Sequence, residues 1–130
     1  MRKIFASTLL AMAIMLGGCG GDTHESLAQE GVSAFNEFAS ILEGVSDVES
    51  AKAAVPKLEA VGQKMADLKK RADALGKPTP EQDKALEEKF TKEMSTAMDK
   101  MMAASMKLAD KPEVQKILEE PMKKLRGGMQ

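Results

Sequence analysis

The sequence has no tryptophan and no tyrosine, only four phenylalanines, one histidine and one cysteine. A lone cysteine has no partner for an intramolecular disulfide. Sugar and nucleobase sites lean on aromatic faces, and their scarcity disfavours both. Neither sign of charge dominates: 19 basic residues stand against 20 acidic ones. The electrostatic drive that takes basic proteins to nucleic acid is therefore missing. Glycine and proline together make 15 residues, too few for a fibrous or low-complexity chain. No apolar run reaches the roughly 20 residues that a membrane-spanning helix needs. What is present suits one modest domain: 130 residues, 43% of them hydrophobic.

The cysteine sits in an informative place. Arg2 and Lys3 follow the initial methionine, the 13 residues from Ile4 to Leu16 form a largely apolar stretch, and its last residue begins Leu16-Gly17-Gly18-Cys19. A short positive region before an apolar core of this length is the pattern of a secretory signal. The tetrapeptide resembles the lipobox of bacterial lipoproteins, with Gly17 where serine or alanine is more usual. The resemblance implies cleavage before Cys19, a diacylglycerol thioether on its sulfur and acylation of the freed amine. Two or more acyl chains make a firm anchor where one is marginal. Gly20, which is not aspartate, points to the outer membrane where a cell has two. The mature chain would carry 17 basic and 20 acidic residues, a formal charge of −3. Gly20 and Gly21 leave a tether of only about 10 to 14 Å, so the domain would sit close to the bilayer.

Beyond the tether the apolar residues recur at helical intervals. In the first helix Asp22 is the expected N-cap with Glu25 in the first turn, and Leu27, Gly31, Ala34, Phe38, Ile41 and Val45 form the stripe, widened by Phe35 and Leu42. Gly44 ends it. Ser46 to Glu49 reads as a capping box that starts a second helix, with Val48, Ala51, Val55, Leu58, Met65, Leu68, Ala72 and Leu75 on its apolar side. Pro56 predicts a kink or short break. Gly76 and Pro78 end that helix. Thr79, Pro80 and Gln82 start a third, carrying Leu86, Phe90, Met94, Ala97, Met101, Ala104 and Leu108. A short fourth stretch carries Val114, Ile117, Leu118, Met122 and Leu125, with Pro121 expected to end or bend it. The expected class is all-α: an antiparallel bundle of three long helices plus a short C-terminal one. The expected divisions are a signal peptide at 1–18, lipidated cysteine and tether at 19–22, bundle at 23–126 and loose tail at 127–130.

Candidate chemistry is thin. Met94, Met98, Met101, Met102 and Met106 crowd the third helix. Thioethers suit Cu(I), and Met94, Met98 and Met101 would be the ligands. The same residues more simply fill an irregular core or, failing that, form an adaptable groove for a partner helix. His24 is expected beside the tether and exposed. A single histidine cannot supply the Glu-x-x-His pairs of a di-iron bundle, and neither a last-helix histidine nor Cys-x-x-Cys-His is present for haem. Glu87-Glu88 and Glu119-Glu120 are adjacent on helices, about 100° apart around the axis, and do not face one substrate. With no phosphate-binding glycine loop and no nucleophile elbow, no enzyme, cofactor or small-molecule substrate is expected. Two basic clusters, Lys69, Lys70 and Arg71, and Lys123, Lys124 and Arg126, could face a membrane surface or simply complement helix C-termini.

The stretch Ser50 to Ala60, the Gly-Lys-Pro-Thr-Pro link and the acidic, then methionine-rich helix resemble small helical bacterial lipoproteins. That resemblance implies no particular activity. The sequence therefore supports a lipid-anchored envelope protein that offers a helical interaction face to another protein. Binding of Cu(I) or a small ligand by the third helix is the alternative.

Overall fold

The computed structural model describes residues 21–129, which form four helices packed together: α1 (His24–Glu43), α2 (Val48–Leu75), α3 (Pro80–Leu108) and α4 (Pro112–Met129). No strand occurs among the described residues. The leader at 1–18 and Cys19 lie outside them.

Each helix starts where a side chain satisfies backbone N–H groups that have no intrahelical partner. For α1 the cap is Thr23, one residue later than expected. Its hydroxyl accepts from the Ser26 N–H, and the Ser26 hydroxyl accepts from the Thr23 N–H, both at 3.0 Å. Asp47 does the same for α2, one residue after the expected Ser46. Its carboxylate accepts from the Ser50 N–H at 2.8 Å, and the Ser50 hydroxyl accepts from the Asp47 N–H at 3.0 Å. In both cases serine takes the third helical position where glutamate is the usual partner, which puts each cap one residue beyond the expected one. Thr79, Pro80 and Gln82 start α3 as expected.

The prolines interrupt less than their chemistry suggests. α2 is continuous through Pro56, so the expected break does not occur. Pro56 is exposed, while Ala51, Ala54, Leu58 and Val61 around it are buried; packing on both sides holds the helix across the missing hydrogen bond. α4 is likewise continuous through Pro121, whose ring is fully buried beside Leu58 and Gly62 of α2. Nor does α4 stop at Arg126. It runs on over Gly127 to Met129, where a loose tail was expected. No proline or competing cap lies there to stop it.

The neighbours are not those that the short connections suggest. α3 packs along α1 and α4 along α2, while α2 and α3, joined by four residues, do not approach each other closely. α1 lies between them. Ion pairs give the register: Arg71 of α2 bonds Glu30 and Lys64 bonds Glu37, so the partner steps forward along α1 as α2 steps back. Lys111 meets the Ser46 carbonyl and Lys124 meets Glu59, both 65 residues apart, so α4 advances in step with α2. α3 and α4 touch only near their turn.

The main core joins Phe38, Leu42 and Val45 of α1 and its end to Ala51, Leu58 and Val61 of α2 and Val114, Leu118 and Leu125 of α4, closed by Ala104 and Leu108 of α3. Along the rest of α1, Leu27, Val32, Ala39, Phe90 and Ala97 are also buried. Ala39 and Ala97 have no exposed surface, and side chains this small let α1 and α3 approach closely.

Two glycines should respond oppositely to alanine. Gly76 has φ 84 and ψ −176, a region essentially confined to glycine, so Gly76→Ala should lower unfolding free energy by about 1–3 kcal/mol in urea titration. A Cβ at Gly62 would meet Leu125 Cγ at 3.6 Å, an ordinary contact. Gly62→Ala should therefore stabilise by about 0.5–1 kcal/mol in the same measurement.

Candidate functional site

The end of the domain at which α1 begins is tied together by one arginine. Arg71 donates to both Asp22 oxygens, at 2.9 and 2.5 Å, and to both Glu30 oxygens, at 2.8 and 2.9 Å. Its side chain is 31% exposed, and Asp67 one turn earlier lies 3.7 Å away. The planar guanidinium suits two bidentate carboxylates, a geometry that lysine cannot match. These hydrogen bonds from Arg71 hold the Asp22 and Glu30 carboxyls below the usual carboxylate range and raise Arg71 in turn. Asp22 is therefore a salt-bridge residue rather than the expected cap.

Above it His24 is half-buried rather than exposed, and its Nε2 donates to the Gly76 carbonyl at 2.9 Å. The bond fixes the imidazole tautomer and ties the first turn of α1 to the link between α2 and α3. Its role in the structure is to hold that link.

The two basic clusters are not equivalent. Arg71 is turned onto its carboxylates. Lys124 bonds Glu59 of α2 at 2.7 Å, and Lys123 bonds Glu119 one turn back at 2.9 Å. These contacts raise both lysines above their ordinary values and lower Glu119. Lys69 is half-buried, while Lys70 and Arg126 are exposed. Because Lys124 lies level with Glu59, the second cluster stands about 15 Å along α2 from Lys69, Lys70 and Arg71. The six do not form one patch.

The methionines of α3 divide between two environments. Met101 packs against the core and Met94 is half-buried. Met98, Met102 and Met106 are 58%, 65% and 70% exposed, and with Leu75 they are the large hydrophobic side chains exposed among the described residues. Each four-residue step turns about 40° around a helix, which carries the row progressively away from the core side. Met94, Met98 and Met102 line an open groove of about 750 Å³ between α3 and α1, together with Ala28, Gly31 and Phe90. Met101 is not among its lining residues. The three expected copper ligands are thus divided between groove and core. Among the described residues, no group of three or more histidine, cysteine, aspartate or glutamate side chains converges as a metal site would require, and no polar or charged side chain is buried. No described helix is long and apolar enough to cross a membrane.

The exposed pair Met102 and Met106 was legible only as part of a methionine cluster. Its sequence signal is the unbroken four-residue interval from Met94 to Met106, which a core stripe of alternating three and four would not keep. Comparison with protein-family models, curated proteins and solved structures finds no match to this chain.

The Arg71 clamp predicts a pH signature. Carboxyls with lowered native values contribute stability that is complete above the ordinary carboxylate range and lost as pH falls through the lowered values. Arg71→Gln should melt at a lower temperature than the parent at pH 7. The gap should narrow steadily as pH falls below the ordinary carboxylate range, about 4, toward the lowered values of Asp22 and Glu30. Thermal melts from neutral to acid pH check this, and a gap unchanged down to pH 2 would disprove the linkage.

Proposed function

We propose that this protein is a bacterial lipoprotein of the cell envelope, held by acyl chains on Cys19, and that its helical domain is an interaction module rather than an enzyme. The observation that carries the reading is Leu16-Gly17-Gly18-Cys19 placed after a positive start and a 13-residue apolar run. The anchor faces a membrane outside the cytoplasm, the outer one where there are two. Of the antiparallel bundle of three long helices and a short fourth, the α1–α2 pair is supported by the stepping of its ion pairs, whereas α4 runs parallel to α2 and, at 18 residues, is nearly as long as α1 at 20.

The described geometry fits such an anchor. Asp22 follows Cys19 by three residues, a reach of about 10 Å, and Arg71 holds Asp22 against the end of α2. Lys69 and Lys70 belong to the same end. An acylated Cys19 would therefore hold the domain by a short leash, with Lys70 near the headgroups and the methionine row of α3 leading away from them. Attraction of Lys70 to anionic lipid would be modest beside the anchor itself, about 1 kcal/mol per basic residue at the surface.

The test is chemical. The full chain expressed in a bacterial host should yield a protein that begins at Cys19 and carries the mass of a diacylglycerol and an amide-linked acyl chain. Cys19→Ala should abolish both acylation and cleavage. An unmodified Cys19, or a mature terminus elsewhere, would refute the anchor.

A further inference from the structure

We propose that the groove between α1 and α3 binds a basic amphipathic helix of a partner protein, lying along Met94, Met98 and Met102. The proposal rests on reading the domain as an interaction module and names the partner's chemistry. Three independent features of the surface support it. First, the exposed large hydrophobics are concentrated here: Met98, Met102 and Met106 stand in one row on α3. Methionine is unbranched and polarizable, and it adapts to irregular apolar partners. Second, the floor is left open. Gly31 sits in the middle of α1, and a Cβ there would meet nothing within 4 Å. Glycine inside a helix costs about 0.5–1 kcal/mol relative to alanine, and nothing among the described residues packs into the space it leaves. Third, the charge is of one sign. Asp83, Glu87 and Asp99 line the groove, and no basic side chain does.

Those carboxylates select among occupants. Anionic lipid headgroups would be repelled, so the groove is not a membrane face. A second copy docked about a twofold axis would set the same three carboxylates against themselves, at a cost in like-charge repulsion. A helix with lysine or arginine flanking an apolar stripe meets both requirements, its stripe on the methionines and its cations on the rim. From Asp83 to Met102 α3 spans about 28 Å, the length of a helix of roughly 19 residues.

The test uses the full chain in neutral maltoside micelles, with empty micelles as the blank. The probes are two synthetic 18-residue helical peptides with the same leucine stripe, one flanked by lysines and one by glutamates. Titration calorimetry should show saturable one-to-one binding of the lysine peptide, weakening as salt is raised, and none of the glutamate peptide. Met98→Glu with Met102→Glu should weaken binding by about tenfold or more. Met98→Leu with Met102→Leu should leave it within about threefold. Asp83→Asn, Glu87→Gln and Asp99→Asn together should weaken it severalfold and flatten its salt dependence. Exposed positions of this kind leave the helical circular dichroism signal unchanged.

Equal binding of both peptides, or binding that the glutamate pair leaves intact, would overturn the proposal. So would a dimer in sedimentation that the lysine peptide does not dissociate and that Met98→Glu with Met102→Glu abolishes; the occupant would then be a second copy. Repeating the titration with Cys19→Ala separates groove from anchor. Binding that survives there in a chain found to be unacylated in the parent would leave the groove standing while the lipoprotein reading fails.

Discussion

Gly76 leaves α2 at φ 84 and ψ −176, and the four residues after Leu75 then cross the first turn of α1, where His24 binds the Gly76 carbonyl. The rest of the arrangement depends on that crossing. A link this short would ordinarily set α2 and α3 side by side. Here α1 stands between them and must bury two sides at once, Phe38 and Leu42 toward the main core and Val32 and Ala39 among the residues buried apart from it. α3 is thereby committed to α1, and α4 returns along α2 through Pro121 and Leu125. The end of the domain that would face an anchor is where these constraints meet: Arg71 bonds Asp22, and His24, two residues on, bonds Gly76.

The same arrangement explains why one side of α3 is unfinished. Because α4 leaves α3 at their turn and packs on α2, no other described helix covers the outward side of α3 beyond Phe90 and Ala97. An ordinary surface helix would carry charge there. This one carries Met98, Met102 and Met106, with aspartate and glutamate at the groove. Contiguous apolar exposure rimmed by one sign of charge is how interaction surfaces differ from solvated faces. The internal ion pairs make a contrast. Lys64–Glu37, Lys89–Glu25 and Lys124–Glu59 cross helix interfaces at their exposed edges, where solvent screens each pair and leaves it little net effect on stability. They set register more than they hold the fold, which rests on Leu58, Val61 and the alanine contacts.

Much of the helical reading follows from local chemistry. Thr79-Pro80 with Gln82 starts α3, Gly76 ends α2, and Leu58, Phe90, Ala97 and Leu118 fall on buried sides because periodicity marks the side that meets a neighbour. The misplaced features have separate causes. Thr23 and Asp47 cap through serine rather than glutamate, and Pro56 and Pro121 are carried within continuous helices because burial around them outweighs one lost hydrogen bond. Val32 and Ala39 were missed since α1 has a second buried side, and periodicity alone expects one.

The sequence by itself determined that there are four helices, most of their ends within a residue or so, one buried side of each, and the motif at Cys19 on which the anchor is proposed, since all of these depend on residues a few positions apart; the end of α4 and the second buried side of α1 were not among them. Only the tertiary structure decided which helices are neighbours, that Arg71 belongs to Asp22 and Glu30 rather than to a basic patch, that His24 holds the Gly76 link, and that Met98 and Met102 face outward while Met101 faces in. Each of those depends on a residue brought close from far along the chain, and the direction of a crossing link cannot be read from the periodicity of the helices it joins.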